Sequence, residues 1–231
     1  MPRIGKYYNE RKYCTMNYLT SASLLSCNFC NIGSEIHRAE KAGVDWIHFD
    51  VMDGRFVEQI TLGAPVLKRV RRVTDMVLDV HLMVENPAKQ IGFFAEAGAD
   101  RITIHAESDC DISVVLENIH NYGKKAALAI SPETPVERVY DYLRQCDMIL
   151  IMTVKPGYGG QSLIPETLLK IKTLRDYLNQ NGYSGMDIQV DGGINAETAA
   201  AVKAAGANVF VAGSALFRAE DMKAANDRLK A

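Results

Sequence analysis

The stretch Ala42-Gly43-Val44-Asp45-Trp46-Ile47-His48-Phe49-Asp50-Val51-Met52-Asp53-Gly54 contains the unit from which the rest of the chain is built. A helical pattern over Ser34–Ala42 stops at Gly43, the residue type that most easily takes the left-handed turn closing a helix. The short apolar run Trp46–Met52 follows, with strand character, and it breaks at Asp53-Gly54. The lead-in phrase recurs as Ala97-Gly98-Ala99-Asp100 and as Ala205-Gly206-Ala207-Asn208, each time just before another strand-like run.

Working outward, strands are predicted at Thr20–Ser26, Trp46–Met52, Leu78–Val84, Arg101–Glu107, Lys125–Ser131, Met148–Val154, Asp187–Gly192 and Asn208–Ser214. Helical patterns lie between them at Ser34–Ala42, Pro65–Val73, Pro87–Ala97, Val114–Tyr122, Pro135–Gln145, Pro165–Asn179, Ala196–Ala204 and Ala219–Leu229. Single helices alternating with strands mean βαβ units and a parallel sheet. Eight units predict an α/β chain folded as a single (β/α)8 TIM barrel over 19–231, an architecture that typically takes about 250 residues. A doubly wound open sheet would want a glycine-rich turn after the first strand, where this chain has Ser26-Cys27-Asn28-Phe29. Residues 1–18 are expected to form a flexible N-terminal extension: Met1–Thr15 is basic and tyrosine-rich and lacks the apolar run of a secretory signal.

The chain has 231 residues, 48% hydrophobic and 23% charged, with a formal charge of -2. That composition excludes a disordered chain, and no stretch reaches the roughly 20 apolar residues of a membrane helix. The charge balance gives no basic face for nucleic acid. The five scattered cysteines fit a reduced, cytoplasmic protein, and Cys27-x-x-Cys30 has no second pair with which to close a zinc site.

Polar groups at the C-terminal ends of barrel strands form the active site, so strand-end polarity is the functional signal. Alternation puts His48, Asp50 and Met52 on one face of the second strand, His81 and Met83 together on the third, and Gln189 with Asp191 on the seventh. Two imidazoles and two carboxylates meeting at one rim call for a cation or for mutual protonation, and a set of two His and two Asp suits a divalent ion: zinc, iron, manganese or cobalt. Asp45, Asp100 and Asp147 precede strands and are expected to cap turns at the barrel bottom. Asp79 is expected to meet a helix, and Asp53 to order the loop through Gly54. His37 and His120 are placed on solvated helix faces, while His105 and Glu107 share a face aimed at the mouth, behind the ligand cluster.

Glycines form the second cluster, with Pro156-Gly157-Tyr158-Gly159-Gly160-Gln161 after the sixth strand, Gly192-Gly193 after the seventh and Gly213-Ser214 ending the eighth. Glycine lets backbone N–H groups approach an anion, and the last two loops are the recurrent phosphate site of these barrels. No G-x-x-x-x-G-K-[ST] motif for a nucleotide is present.

The runs Trp46-Ile47-His48-Phe49-Asp50-Val51-Met52-Asp53-Gly54-Arg55-Phe56 and Leu78-Asp79-Val80-His81-Leu82-Met83-Val84 resemble the ribulose-phosphate 3-epimerase family. So do Pro156–Gln161, Val190-Asp191-Gly192-Gly193-Ile194 and Ala212-Gly213-Ser214-Ala215. The resemblance implies a metal-dependent 3-epimerase that interconverts D-ribulose 5-phosphate and D-xylulose 5-phosphate, a step of the pentose phosphate pathway, through a metal-stabilised enediolate. It implies one divalent ion on His48, Asp50, His81 and Asp191, with Asp50 and Asp191 as the acid/base pair. Ser26, His81 and Asp191 would contact substrate, Gly157, Tyr158, Gly159, Gly160, Gly192, Gly193, Gly213 and Ser214 would hold its phosphate end, and Met52, Met83 and Met152 would line the site. A homo-oligomer is expected by the same analogy. The chain departs from the family at Glu58-Gln59, where Pro-Asn is usual, at Lys155 and at Cys27-Asn28. Glu58 and Lys155 are expected on loops over the site, which leaves a six-carbon ketose 6-phosphate as the alternative substrate. An aldolase-like or decarboxylating barrel would need lysine at the strand ends. A non-catalytic sugar-phosphate-binding descendant should have lost a ligand, and none is missing.

Overall fold

The computed structural model describes residues 17–231, so the expected extension lies almost wholly outside the described residues. Eight parallel strands close into a barrel in chain order. They are β1 (Leu19–Ser23), β2 (Trp46–Met52), β3 (Val77–Met83), β4 (Arg101–His105), β5 (Lys125–Ile130), β6 (Met148–Met152), β7 (Asp187–Asp191) and β8 (Val209–Ala212). Helices α1 (Ile32–Lys41), α2 (Ala64–Val70), α3 (Ile91–Ala97), α4 (Ile112–Asn121), α5 (Thr167–Gln180), α6 (Ala196–Ala205), α7 (Ser214–Phe217) and α8 (Met222–Lys230) form the outer layer.

A strand packed on both sides needs two faces of different kinds. Outward residues such as Ile47, Phe49, Leu78, Val80, Ile102, Leu128, Ile149 and Phe210 join the helices in one apolar core. Inward, Trp46, Ala127, Met148 and Val209 plug the bottom of the barrel, with Leu19 and Val77 beside them. Ala129, Leu150, Met152 and Val154 form an apolar patch higher up the interior. Between these lies a buried polar set, Ser21, His48, Asp79, Thr103 and Gln189.

The repeated lead-in phrase has a structural purpose. Each residue just before an even strand accepts the first N–H groups of the odd strand preceding it. Asp45 Oδ2 takes Thr20 N at 2.8 Å, Asp100 Oδ2 takes Leu78 N at 2.8 Å, Asp147 Oδ2 takes Ala126 N at 2.9 Å and Asn208 Oδ1 takes Ile188 N at 2.8 Å. The expected caps at the barrel bottom are therefore clamps between strand pairs, repeated four times around the ring. Gly43, Gly98 and Gly206 turn the chain into three of them, all with positive φ.

Several boundaries differ from expectation. β1 stops at Ser23, and Leu24–Ser26 is a 3-10 turn closed by Cys27 N on Leu24 O, which lifts Ser26 out of the strand to the rim. Val136–Gln145, expected as an ordinary helix, is 3-10. Pro87–Ala97 divides into a 3-10 turn at Pro87–Lys89 and α3. β8 ends at Ala212, and α7 follows in place of loop. The last helix begins only at Met222, where Asp221 caps it by accepting Ala224 N at 2.9 Å.

Candidate active site

β2 carries His48 and Asp50, β3 carries His81 directly beside Asp50 in register, and β7 brings Asp191 from three strands round the ring. His48 Nε2 lies 3.3 Å from Asp50 Oδ1 and 3.7 Å from Asp191 Oδ2. His81 Nδ1 lies 3.2 Å from Asp50 Oδ1 and 3.7 Å from Asp191 Oδ2. One atom from each residue falls within 4.8 Å of all the others, the sole such group of four among the described residues.

The surroundings of His48 fix which of its nitrogens faces the cluster. Asp79 Oδ2 is 2.8 Å from His48 Nδ1 and also accepts from Gln189 Nε2 at 2.6 Å and Ser21 Oγ at 3.4 Å. Burial pushes the Asp79 carboxyl up, but His48 and Arg101 outweigh it and hold it ionised. Nδ1 is then the N–H of His48, and its Nε2 is a buried nitrogen with no hydrogen-bond partner, aimed at two carboxylates. This is a correction to the sequence reading, which sent Asp79 to a helix. Asp79 is two residues from His81 on the same strand, shares its inward face and is fully buried inside the barrel.

The group fits a divalent ion. Nitrogen and oxygen donors at about 2.0–2.2 Å from a tetrahedral centre lie roughly 3.4 Å apart, the spacing seen here. Protons must otherwise take the place of the positive charge. Burial opposes a charged His48, yet Asp50 and Asp79 raise its pKa well above the ordinary value. Burial likewise opposes an ionised Asp50, but His48 and His81 hold it well below the carboxylate range. Asp191 goes the other way, pushed up to about 7 by burial and the Asp50 charge, against the opposing pull of His48. Two identical carboxyls on one cavity are thus set at very different proton affinities. Ser23 Oγ donates to Asp50 Oδ2 at 2.7 Å and fixes its plane.

Above the cluster opens a cavity of about 480 Å³. Asp50 and Asp191 form its polar floor, with Met52, Met83 and Met152 beside them, all nearly inaccessible to water. His48 and His81 sit fully buried beneath. Ser26, Gly157, Tyr158, Gly159, Gly160, Gly192, Gly193, Gly213 and Ser214 all line this cavity, as the sequence placed them. At two of these positions close approach requires glycine. Any Cβ at Gly193, where φ is +66°, would overlap the Leu163 backbone, and one at Gly213 would overlap Ser26 Oγ. Lys155 and Arg218 add two cationic side chains to the wall. Glu58 does not line it; its Oε2 accepts from Tyr158 Oη at 2.7 Å, joining the loop after β2 to the glycine loop after β6.

His105 and Glu107 stand behind His81. His81 Nε2 and His105 Nε2 are 2.9 Å apart, and His105 Nδ1 is 3.0 Å from Glu107 Oε2. Asp53 orders its loop as expected, accepting Arg55 N, Phe56 N and Glu85 N. Ser21 and Ser23, which the sequence reading passed over, and Asp79, which it sent to a helix, could have been found by the rule that found His48: polar residues at inward positions of a strand. Arg218 could not, because it follows a helix absent from the pattern.

The family model described as "Ribulose-phosphate 3 epimerase family" matches residues 19–217. The chain is 44% identical to the ribulose-phosphate 3-epimerase of Bacillus subtilis over 208 residues, 90% of this chain and 96% of that one. Against the Synechocystis enzyme of the same name it is 45% identical, covering 88% and 89%. A crystal structure of 3-hexulose-6-phosphate synthase from Salmonella typhimurium superimposes with a TM-score of 0.64 over 92% of this chain and 96% of that one. At 15% identity that likeness shows the shared barrel alone.

Proposed function

The chain belongs to the ribulose-phosphate 3-epimerase family and is an epimerase acting on a ketose phosphate, and from that premise we propose that it inverts C3 of D-ribulose 5-phosphate to give D-xylulose 5-phosphate. The observation that carries this reading is the Asp50–Asp191 pair. The two carboxyls reach the floor of one cavity from strands three apart around the ring, so a sugar seated there meets both.

Inversion beside a ketone requires the C3 proton to leave from one face of the sugar and a proton to arrive on the other. A single base could return its proton only to its own side, so two groups are needed. Asp50 takes the proton and Asp191 supplies one from the opposite side, and the roles exchange in the reverse direction. Ser23 keeps the Asp50 carboxylate aimed. The three methionines keep water from the reacting face, which strengthens every charge interaction inside.

His48, Asp50, His81 and Asp191 would hold the divalent ion, of the zinc, iron, manganese or cobalt class. It supplies Lewis-acid stabilisation of the negative charge that develops on the sugar oxygens. Gly192, Gly193, Gly213 and Ser214 would receive the phosphate through backbone N–H groups, and Lys155 and Arg218 add positive charge to the same cavity. Binding energy from that remote group orients C3 over the floor.

The test is turnover of D-ribulose 5-phosphate beside a six-carbon ketose 6-phosphate, by the parent and by Asp50→Asn and Asp191→Asn. The pentulose phosphate is expected to be the better substrate, and each variant to lose at least about 10²-fold in kcat, the worth of one positioned acid or base. An Asp191→Asn enzyme within a few-fold of the parent contradicts the two-base scheme, and preference for the six-carbon sugar reassigns the substrate.

A further inference from the structure

The loop after β6 carries its own internal ties. Gln161 Nε2 donates to Lys155 O and to Tyr158 O, both at 2.8 Å, and at the loop's foot Ile164 N donates to Thr153 O at 2.8 Å. Between these ties runs Gly157-Tyr158-Gly159-Gly160, which lines the cavity. At Gly157 the backbone crosses the loop after β2 so closely that a Cβ would stand 3.1 Å from the Val57 side chain. At Gly159 the corresponding position is 3.9 Å from Leu25 and from Ser26 Oγ, on the turn after β1. The loop therefore reaches from β6 over the cavity to the β1 and β2 side of the ring.

Entropy opposes the ordering of such a loop. Three of its four central residues are glycine, which loses more conformational freedom on ordering than any other residue. Its outer side is held by Tyr158, whose Oη donates to Glu58 Oε2 at 2.7 Å. Glu58 stands on a braced loop. Gly54 N donates to Gln59 O at 2.9 Å and Thr61 N to Met52 O at 3.2 Å. Asp53 accepts from Arg55 N and Phe56 N within the loop and from Glu85 N after β3. The Glu58–Tyr158 bond extends that bracing to the glycine loop.

We propose that Glu58 is a positioning residue: through Tyr158 it holds the glycine loop over the cavity in the free protein, so that a ketose phosphate meets a roof already ordered. The identity of the ligand rests on the functional reading above; the residue is an addition to it, since Glu58 lies outside the cavity wall. Gln161 ties the loop to Lys155 O, so the same bond steadies the backbone from which the Lys155 cation reaches the wall. When only a fraction of the free molecules has the loop in place, apparent affinity falls by that fraction. At saturation the bound sugar phosphate holds the loop itself, and turnover is spared.

Glu58 is exposed, so substituting it leaves the core intact. In Glu58→Ala, KM for D-ribulose 5-phosphate should rise about 3–10-fold, the worth of one hydrogen bond, with kcat within about two-fold of the parent. Tyr158→Phe should give the same rise in KM. The double variant should be no worse than either single one, because both remove one bond. Glu58→Gln keeps an oxygen for the phenol and should stay within about two-fold of the parent. A second readout needs no substrate. The ¹⁵N order parameters of the Gly159 and Gly160 amides should be about 0.85 in the parent and in Glu58→Gln, and below about 0.6 in Glu58→Ala. An unchanged KM in Glu58→Ala, KM effects that add in the double variant, or amides equally mobile in parent and Glu58→Ala would each overturn the proposal. Amides that loosen as expected, in a protein that turns over no ketose phosphate, would overturn the functional reading and leave the tie between the loops standing.

Discussion

Asp50 and Asp191 are the same side chain made unequal by a few ångströms of surroundings. Asp50 lies between two imidazoles and under the Ser23 hydroxyl, while Asp191 faces the charge of Asp50. Glu107 shows the same dependence on neighbours: burial raises its carboxyl, but His105, Thr134 and Ser131 outweigh it and bring the pKa down to about 2, from an ordinary 4.5. The sign for stability follows. Between those two values the unfolded chain binds a proton at this position that the folded chain does not, so stability from Glu107 is complete above about pH 4.5 and drains away as the pH falls toward 2. Denaturant midpoints of the parent and Glu107→Gln, compared from neutral to acid pH, should converge below about pH 4.5. A gap of constant size would mean that Glu107 is not the ionised anchor described here.

At the scale of elements, the four bottom clamps explain why an Ala-Gly phrase followed by Asp or Asn keeps returning. The phrase was legible in the sequence as punctuation before a strand; its reach back to the preceding strand was not, because nothing local announces a hydrogen bond spanning some 20 residues. Asn208 is the most buried of the four. It accepts from Ile188 N and donates to Asp187 Oδ1 at 2.7 Å, tying β7 to the start of β8. Asn208→Ala orphans a buried backbone N–H and should cost about 1–3 kcal/mol of stability. Because the lesion lies at the end of the barrel remote from the cavity, kcat/KM at a temperature where the variant is folded should stay within about two-fold of the parent. A large loss of turnover without loss of stability would show that the two ends of the barrel are coupled. Other misreadings share a cause: β1 ends early and Val136–Gln145 winds as 3-10 because local turns and packing override a pattern that reads equally well either way.

For the whole molecule, the barrel puts eight strand ends around one ring, so a residue's parity and its distance along the strand decide whether it joins the site. That is why His48, Asp50, His81 and Asp191 could be picked out together from the sequence, and why Asp79 shows its role only when the same parity is applied one turn of the pleat lower. The His81–His105–Glu107 chain was legible as polarity on a shared face, but the tie of Glu107 to Ser131 and Thr134 on the loop after β5 was not, because no spacing reveals it. The account as a whole stands on proton transfer at one carbon by two aspartates. Proton NMR of the parent enzyme with D-ribulose 5-phosphate in D₂O tests that directly. The account predicts D-xylulose 5-phosphate carrying deuterium at C3, because the proton removed on one face is replaced from solvent through the aspartate on the other. Epimer that keeps its original C3 hydrogen through single turnovers, or no epimer at all, would contradict it.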